Sequence, residues 1–286
     1  MKKNIMPLAS IVIFMLLIVS CKKDDGDRGT KAVFSYVADG FVVNFTNFST
    51  EATEYIWEFG DGTGETSTRR SPQYIYKAKG DYLVSLTAKN GDLTSTFIDT
   101  VTIIGPNIKI DGDFTDWQFV DYSHINEEGQ GGTLRAIKTF ASATHLNFLL
   151  EGTADMELEV MVLYLNTDRN PESGYMIDWL YPLGSGANYY LDLSMTGGWG
   201  NVLQHSGNPA DAWGGFTPIA YSEIFNYSEI KTTETNGKRI EFSIDRALLA
   251  SMSGSVGYTI IDNSGRQIGS LPANGHSDSK FATFPL

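Results

Sequence analysis

Cysteine is almost missing from this 286-residue chain: Cys21 stands alone, so no disulfide can form within the chain. Positive charge is also scarce, with 21 Lys and Arg against 34 Asp and Glu and a formal net charge of −13. That balance argues against nucleic acid or another polyanion as ligand, because such partners need clustered Lys and Arg. The apolar run from Pro7 to Val19 falls short of the roughly 20 residues that cross a bilayer as a helix. Neither HExxH, nor Gly-x-Ser-x-Gly, nor a P-loop is found, and no Cys nucleophile exists besides Cys21. Helical periodicity is almost lacking as well, which leaves strands.

What is there begins with Lys2 and Lys3, then the Pro7–Val19 run, then Ser20-Cys21. A positive start, a short apolar core and a small residue at the cut make a secretory signal over residues 1–20. Ile18-Val19-Ser20-Cys21 resembles the lipobox of bacterial lipoproteins, which implies that Cys21 becomes the lipidated first residue. The stretch 21–30, with Lys22-Lys23-Asp24-Asp25, has no apolar side chain to pack and is expected to be a tether. It resembles the export signal of Bacteroidota-type surface lipoproteins. The resemblance implies an outer-membrane protein held by its lipid anchor only and facing the cell exterior; a plain solvated linker is the other reading.

The remaining length suits two domains of ordinary size. Aromatics at 12% and 29 Gly point to strands joined by tight turns, an all-β fold. From Lys31 to about Ile104, segments such as Phe41–Phe45 and Tyr82–Ala88 alternate apolar and polar residues, the period of half-buried strands. Asp61-Gly62 and Asn90-Gly91 supply turns. Trp57-Glu58-Phe59-Gly60-Asp61-Gly62-Thr63, with Ser71-Pro72, Tyr74, Tyr76 and Gly80-Asp81-Tyr82, resembles the PKD family of immunoglobulin-like domains. The first domain is therefore expected over 31–105, with Trp57 in its core, Asp61 holding its own turn, and a spacer or interaction role rather than catalysis.

Gly105-Pro106 breaks the pattern, and a larger β-sandwich is expected over 106–286. Leu146–Leu150, Glu159–Leu165 and Arg239–Ile244 alternate as strands do, while Asp245–Met252 is a short helical candidate with Asp245 as N-cap. Ile110–Trp117, Leu163–Tyr175 with Gly186–Leu191, and Ile240–Arg246 resemble, in that order, landmarks of the carbohydrate-binding family 9-like sandwiches related to DOMON domains. Trp117 is expected in the core. Where that family has Asp in an Asp-x-Asp turn this chain has Asn166, which removes one charge from any cation site. Asn166, Asp168 and Asn170 read first as an Asx-stabilised turn and second as a structural Ca²⁺ site, with no other cofactor expected.

Candidate ligand contacts gather between Asp178 and Phe216. Trp179 and Tyr181 are expected to share one strand face, whereas Trp199 and Trp213 stand among Gly residues that offer few local packing partners. Sugar rings present an apolar C–H face and an equator of hydroxyls, so Trp179, Tyr181, Trp199, Trp213 and Phe216 are read as platforms. Asp178, Asn188 and His205 are read as polar edges, with Gln204, Asn208 and Asp211 in reserve. His124, His145 and His276 show no metal spacing. Carboxylate pairs such as Asp168 with Asp192, or Glu223 with Glu241, keep glycoside hydrolysis in view as an alternative. The favoured expectation is a non-catalytic surface glycan-binding lipoprotein that captures polysaccharide for a SusC/SusD-type uptake complex. A structural or adhesive lipoprotein binding a protein partner is the runner-up.

Overall fold

The structure is a computed structural model that describes residues 29–221, 225–249, 252, 254–265 and 268–286. The signal segment, the lipobox with Cys21, the residues of the tether up to Arg28, and Glu223 lie outside the described residues. Nearly all regular structure is antiparallel strand, and among the described residues no helix is long and apolar enough to cross a membrane.

The first unit packs two sheets. One holds β1 (Phe34–Asp39), β2 (Val42–Asn47) and β5 (Gln73–Ile75); the other holds β4 (Thr66–Ser67), β3 (Glu54–Glu58), β6 (Gly80–Asn90) and β7 (Leu93–Ile103) in that order. Their inward positions, set by the two-residue period of a strand, converge on Trp57. Its ring lies 5.1 Å from Phe34 and 5.2 Å from Phe45, and its indole N–H donates to the Arg69 carbonyl at 3.0 Å. Asp61 holds its turn as expected, accepting from the Thr63 amide at 3.1 Å, and it also takes the Tyr74 hydroxyl at 2.6 Å. Gly60 is forced by sterics: at φ +74 a Cβ would come 2.3 Å from the Leu83 carbonyl oxygen.

The second unit is a larger sandwich. Its first sheet runs β15 (Phe225–Tyr227), β17 (Lys238–Asp245), β10 (His145–Gly152), β9 (Leu134–Ala141), β8 (Tyr122–Ile125), with β16 (Lys231–Thr232) also on β17. The facing sheet runs β14 (Phe216–Tyr221), β13 (Trp199–His205), β12 (Tyr189–Ser194), β11 (Met161–Asn166), β18 (Ser255–Asp262), β19 (Gly269–Leu271), with β20 (Ala282–Pro285) also on β18. Phe148 and Phe242 stack at 4.8 Å inside, among Leu163, Leu191, Val202 and Ile260. Burying each such side chain contributes about 1.5–3 kcal/mol.

Trp117 of the opening motif is fully buried as expected, but outside the cluster between the two sheets. A 3₁₀ turn, Phe114–Phe119, is capped by Asp113 and lies on the outer side of the first sheet. There Glu241, buried and opposite Leu149, accepts the amides of Asp111 (2.8 Å) and Gly112 and the Trp117 indole N–H (2.8 Å). Burial raises the Glu241 carboxyl above its usual range against the pull of those donors. The helical candidate at Asp245 shrinks to one 3₁₀ turn, Arg246–Leu248: Asp245 caps it as expected, accepting from the Ala247 amide at 2.8 Å, but Leu249 already has extended geometry.

The two units touch. Phe119 packs against the first core with its ring 5.3 Å from Phe41, and Asp39 accepts from Asn107 at 2.6 Å and Lys109 at 3.2 Å.

Candidate functional site

Strand alternation decides which side chains of the second sheet face outward. On β12, Leu191 and Leu193 enter the core, so Tyr190 and Asp192 point out; on β13, Val202 enters the core and a Cβ on Gly200 would strike the ring of Phe225, so Trp199, Asn201 and Leu203 point out. Register then brings Tyr164, Tyr190 and Leu203 into one row across three strands, and Val162, Asp192, Asn201 and Tyr221 into the next.

Two loops fold over the first of these rows. The 167–188 loop is pinned by short side-chain bonds: Asn188 Oδ1 accepts from the Thr167 amide at 2.7 Å, its amide donates to Asp168 at 3.1 Å, and Asp168 Oδ1 accepts from the Asn170 amide at 2.9 Å. Tyr175 and Ala187 exchange backbone bonds, and the Gly174 amide donates to the Gly207 carbonyl, tying this loop to the next. In the 206–215 loop Asn208 caps the turn Pro209–Gly215 and Ser206 donates to Asp211 at 2.6 Å. The Gly207 amide donates to His205 Nδ1, so Nε2 carries the proton that the Ala212 carbonyl accepts at 2.8 Å.

These constraints aim Trp213. Its ring meets Tyr190 at 4.9 Å and Tyr175 at 5.5 Å, both edge to face, and Phe216 at 5.1 Å, while 49% of the residue stays exposed. Trp179 joins through Tyr175 at 6.1 Å and is 66% exposed. Rings fixed edge to face by their neighbours cost little entropy when a ligand stacks on them. Burial and then the charge of Asp192 push the Tyr190 phenol up to about 12, so it is a neutral hydrogen-bonding group at physiological pH. Burial also raises Tyr175 and Tyr164.

The residues expected at the site divide. Trp213 and Trp179 come together, with Asp178 exposed beside Trp179. Tyr181 does not share a face with Trp179: Asp178–Leu180 is a turn, and Tyr181 is fully buried with its hydroxyl bonded to Thr259 and to the Pro272 carbonyl at 2.9 Å. Asn188 and His205 are occupied in holding the loops, and Phe216 is nearly buried beneath Trp213. Trp199 is exposed at 42% but six residues from His205 along β13, roughly 20 Å at about 3.4 Å per residue. Tyr164, Tyr175 and Tyr190, not read as ligand contacts in the sequence, form the base of the patch; the signal for Tyr164 and Tyr190 was an aromatic alternating with buried Leu on β11 and β12, whereas Tyr175 lies in the 167–188 loop.

Asn166 donates to the Asn170 and Ser185 carbonyls at 3.0 and 3.2 Å, and Asn170 Oδ1 accepts from the Glu172 amide at 3.0 Å. Asn166 Oδ1 is buried without a partner, but the one carboxylate present is taken by the Asn170 amide and the Asn188 side chain and Asn170 Oδ1 by the Glu172 amide, so the turn does not fit the six to eight oxygen ligands of Ca²⁺. Asp168 and Asp192 do not converge either, and Glu223 of the second pair lies outside the described residues. Val162 lies opposite Asp192, and from there to Asn166 alone is roughly 13 Å along β11, beyond the ~5–9.5 Å of glycosidase pairs, before Asp168 is reached. Glu241 sits under the opening motif on the other sheet.

The molecule is thus of the tandem β-sandwich class, with a closed aromatic core in the smaller unit and an open aromatic face on the larger. The PKD domain family model matches residues 27–101, so the smaller, N-terminal unit is a PKD domain. Two solved PKD1 domains are similar to it: that of Vibrio anguillarum Epp at 31% identity, covering 27% of this chain and 96% of that one with a TM-score of 0.26, and that of the Vibrio cholerae metalloprotease PrtV at 29%, covering 26% and 96% with a TM-score of 0.25. A structure from work on the promiscuous specificity of carbohydrate-binding modules of the β-sandwich superfamily is 16% identical over 86% of this chain and 97% of its own, but its TM-score of 0.25 carries no argument. No curated protein matches.

Proposed function

We propose that the protein is a non-catalytic glycan-binding lipoprotein, anchored through Cys21 in the outer membrane and facing outward, that captures polysaccharide for a SusC/SusD-type uptake complex. One observation carries the glycan reading: Trp213 and Trp179 stay open to solvent on either side of Tyr175, held by rings and hydrogen-bonded loops that have no need of them in the core. Flat exposed rings match the C–H face of a sugar. The lipid anchor and the uptake partner rest on the sequence of residues 1–30 alone.

Shallow platforms recover little of the association cost, so affinities from about micromolar to millimolar are expected, offset by many tethered copies acting together. The test is affinity electrophoresis of the full-length protein through gels holding a panel of soluble polysaccharides. Retardation by a polymer that is lost in Trp213→Ala is the expected result. Unretarded migration in every gel would move the weight to a protein partner, and release of sugars from any polymer would make the protein an enzyme.

A further inference from the structure

The aromatic patch is one end of a longer feature. The second outward row continues it along β12 and β13 through Asp192, Asn201 and Tyr221, and Trp199 closes the far end. Tyr221 is 66% exposed, so the strip has an open aromatic ring at each end and in its middle.

Asp192 is the exception in this strip. It is partly exposed, yet Oδ1 is shut off from solvent and accepts no hydrogen bond. A carboxylate oxygen left without a donor is costly, and nothing in the fold repays it: the opposed residues Val162 and Asn201 make no bond to it. It stands between Val162 and Asn201, near enough to Tyr190 for its charge to act on that phenol, and at a partly buried carboxylate a donor counts for more and a second negative charge is repelled more strongly than in open water.

Building on the glycan-binding reading, we propose that the strip takes an extended chain of neutral, hydroxyl-bearing sugars, with Asp192 as the central polar anchor that accepts their hydroxyls and turns away uronate polymers. The rings at Trp213, Tyr221 and Trp199 supply stacking that every sugar face satisfies. Asp192 supplies the choice between neutral and acidic chains.

The experiment uses the full-length protein, its Asp192→Asn and Trp213→Ala variants, and affinity gels containing a neutral glucan, a mannan, alginate or polygalacturonate. Because no described residue bonds the Asp192 side chain, Asp192→Asn is expected to melt no lower than the parent. The expected pattern is retardation by at least one neutral polymer and by neither uronate, with affinity lowered roughly tenfold or more in Asp192→Asn, the loss of one charge-assisted hydrogen bond. If Trp213→Ala abolishes retardation while Asp192→Asn leaves it intact, the anchor is overturned and the glycan reading stands. Equal retardation by uronates overturns the selection. Passage through all four gels unretarded would count against both.

Discussion

Glu241 gathers three donors from a segment more than a hundred residues away, and its carboxylate is the sole acceptor for the Trp117 indole. Removing it leaves two amides and an indole N–H buried without a partner, so Glu241→Ala is expected to cost roughly 3–5 kcal/mol, read as a fall in the urea midpoint. The two motifs it joins were legible as separate landmarks, Ile110–Trp117 and Ile240–Arg246, but no spacing rule told that one clasps the other. The same gap explains Asp192. Its outward position follows from the alternation around Leu191 and Leu193, whereas its missing donor depends on Val162 and Asn201, which only register places beside it.

At the level of elements, the 206–215 loop illustrates how a turn can be stiff without being regular. Ala212 adopts φ 45, ψ −139 inside it, a conformation that costs a residue with a Cβ on the order of 1–3 kcal/mol. Ala212→Gly is therefore expected to raise stability by about 1 kcal/mol after the added freedom of the unfolded chain is subtracted, measured by urea denaturation; a lowered midpoint would show that the Ala212 methyl is needed where it is. Exposure of Trp199 and Trp213 was readable from their Gly neighbours, which give a ring nothing to pack on. Tyr181 misled because its spacing from Trp179 suits a strand, while the Leu180 and Tyr181 amides both turn back to the Ile177 carbonyl. Asp245 signalled a helix start correctly, but three residues cannot bury a helical face and the chain resumes extended geometry at Leu249.

Over the whole molecule, the all-β pairing of a small and a large sandwich was written in the period of two and in the Gly-rich turns. The contact between the units was not, since Phe119 belongs by sequence to the second and packs on the core of the first. Phe119→Ala is expected to weaken the first unit by about 1–2 kcal/mol, which calorimetry would register as its transition falling by roughly 5–10 °C while that of the second stays in place. A final consequence follows from the strip being a floor: it lies on the face of a sheet, and its two ends are rings instead of barriers. A polymer need not present a terminus to enter it, and each repeat along an unbranched chain offers an equivalent starting register. Affinity per polymer molecule then grows with the count of registers, a purely statistical gain of RT times the logarithm of chain length, and successive copies of the protein can seat themselves along one strand of sugar.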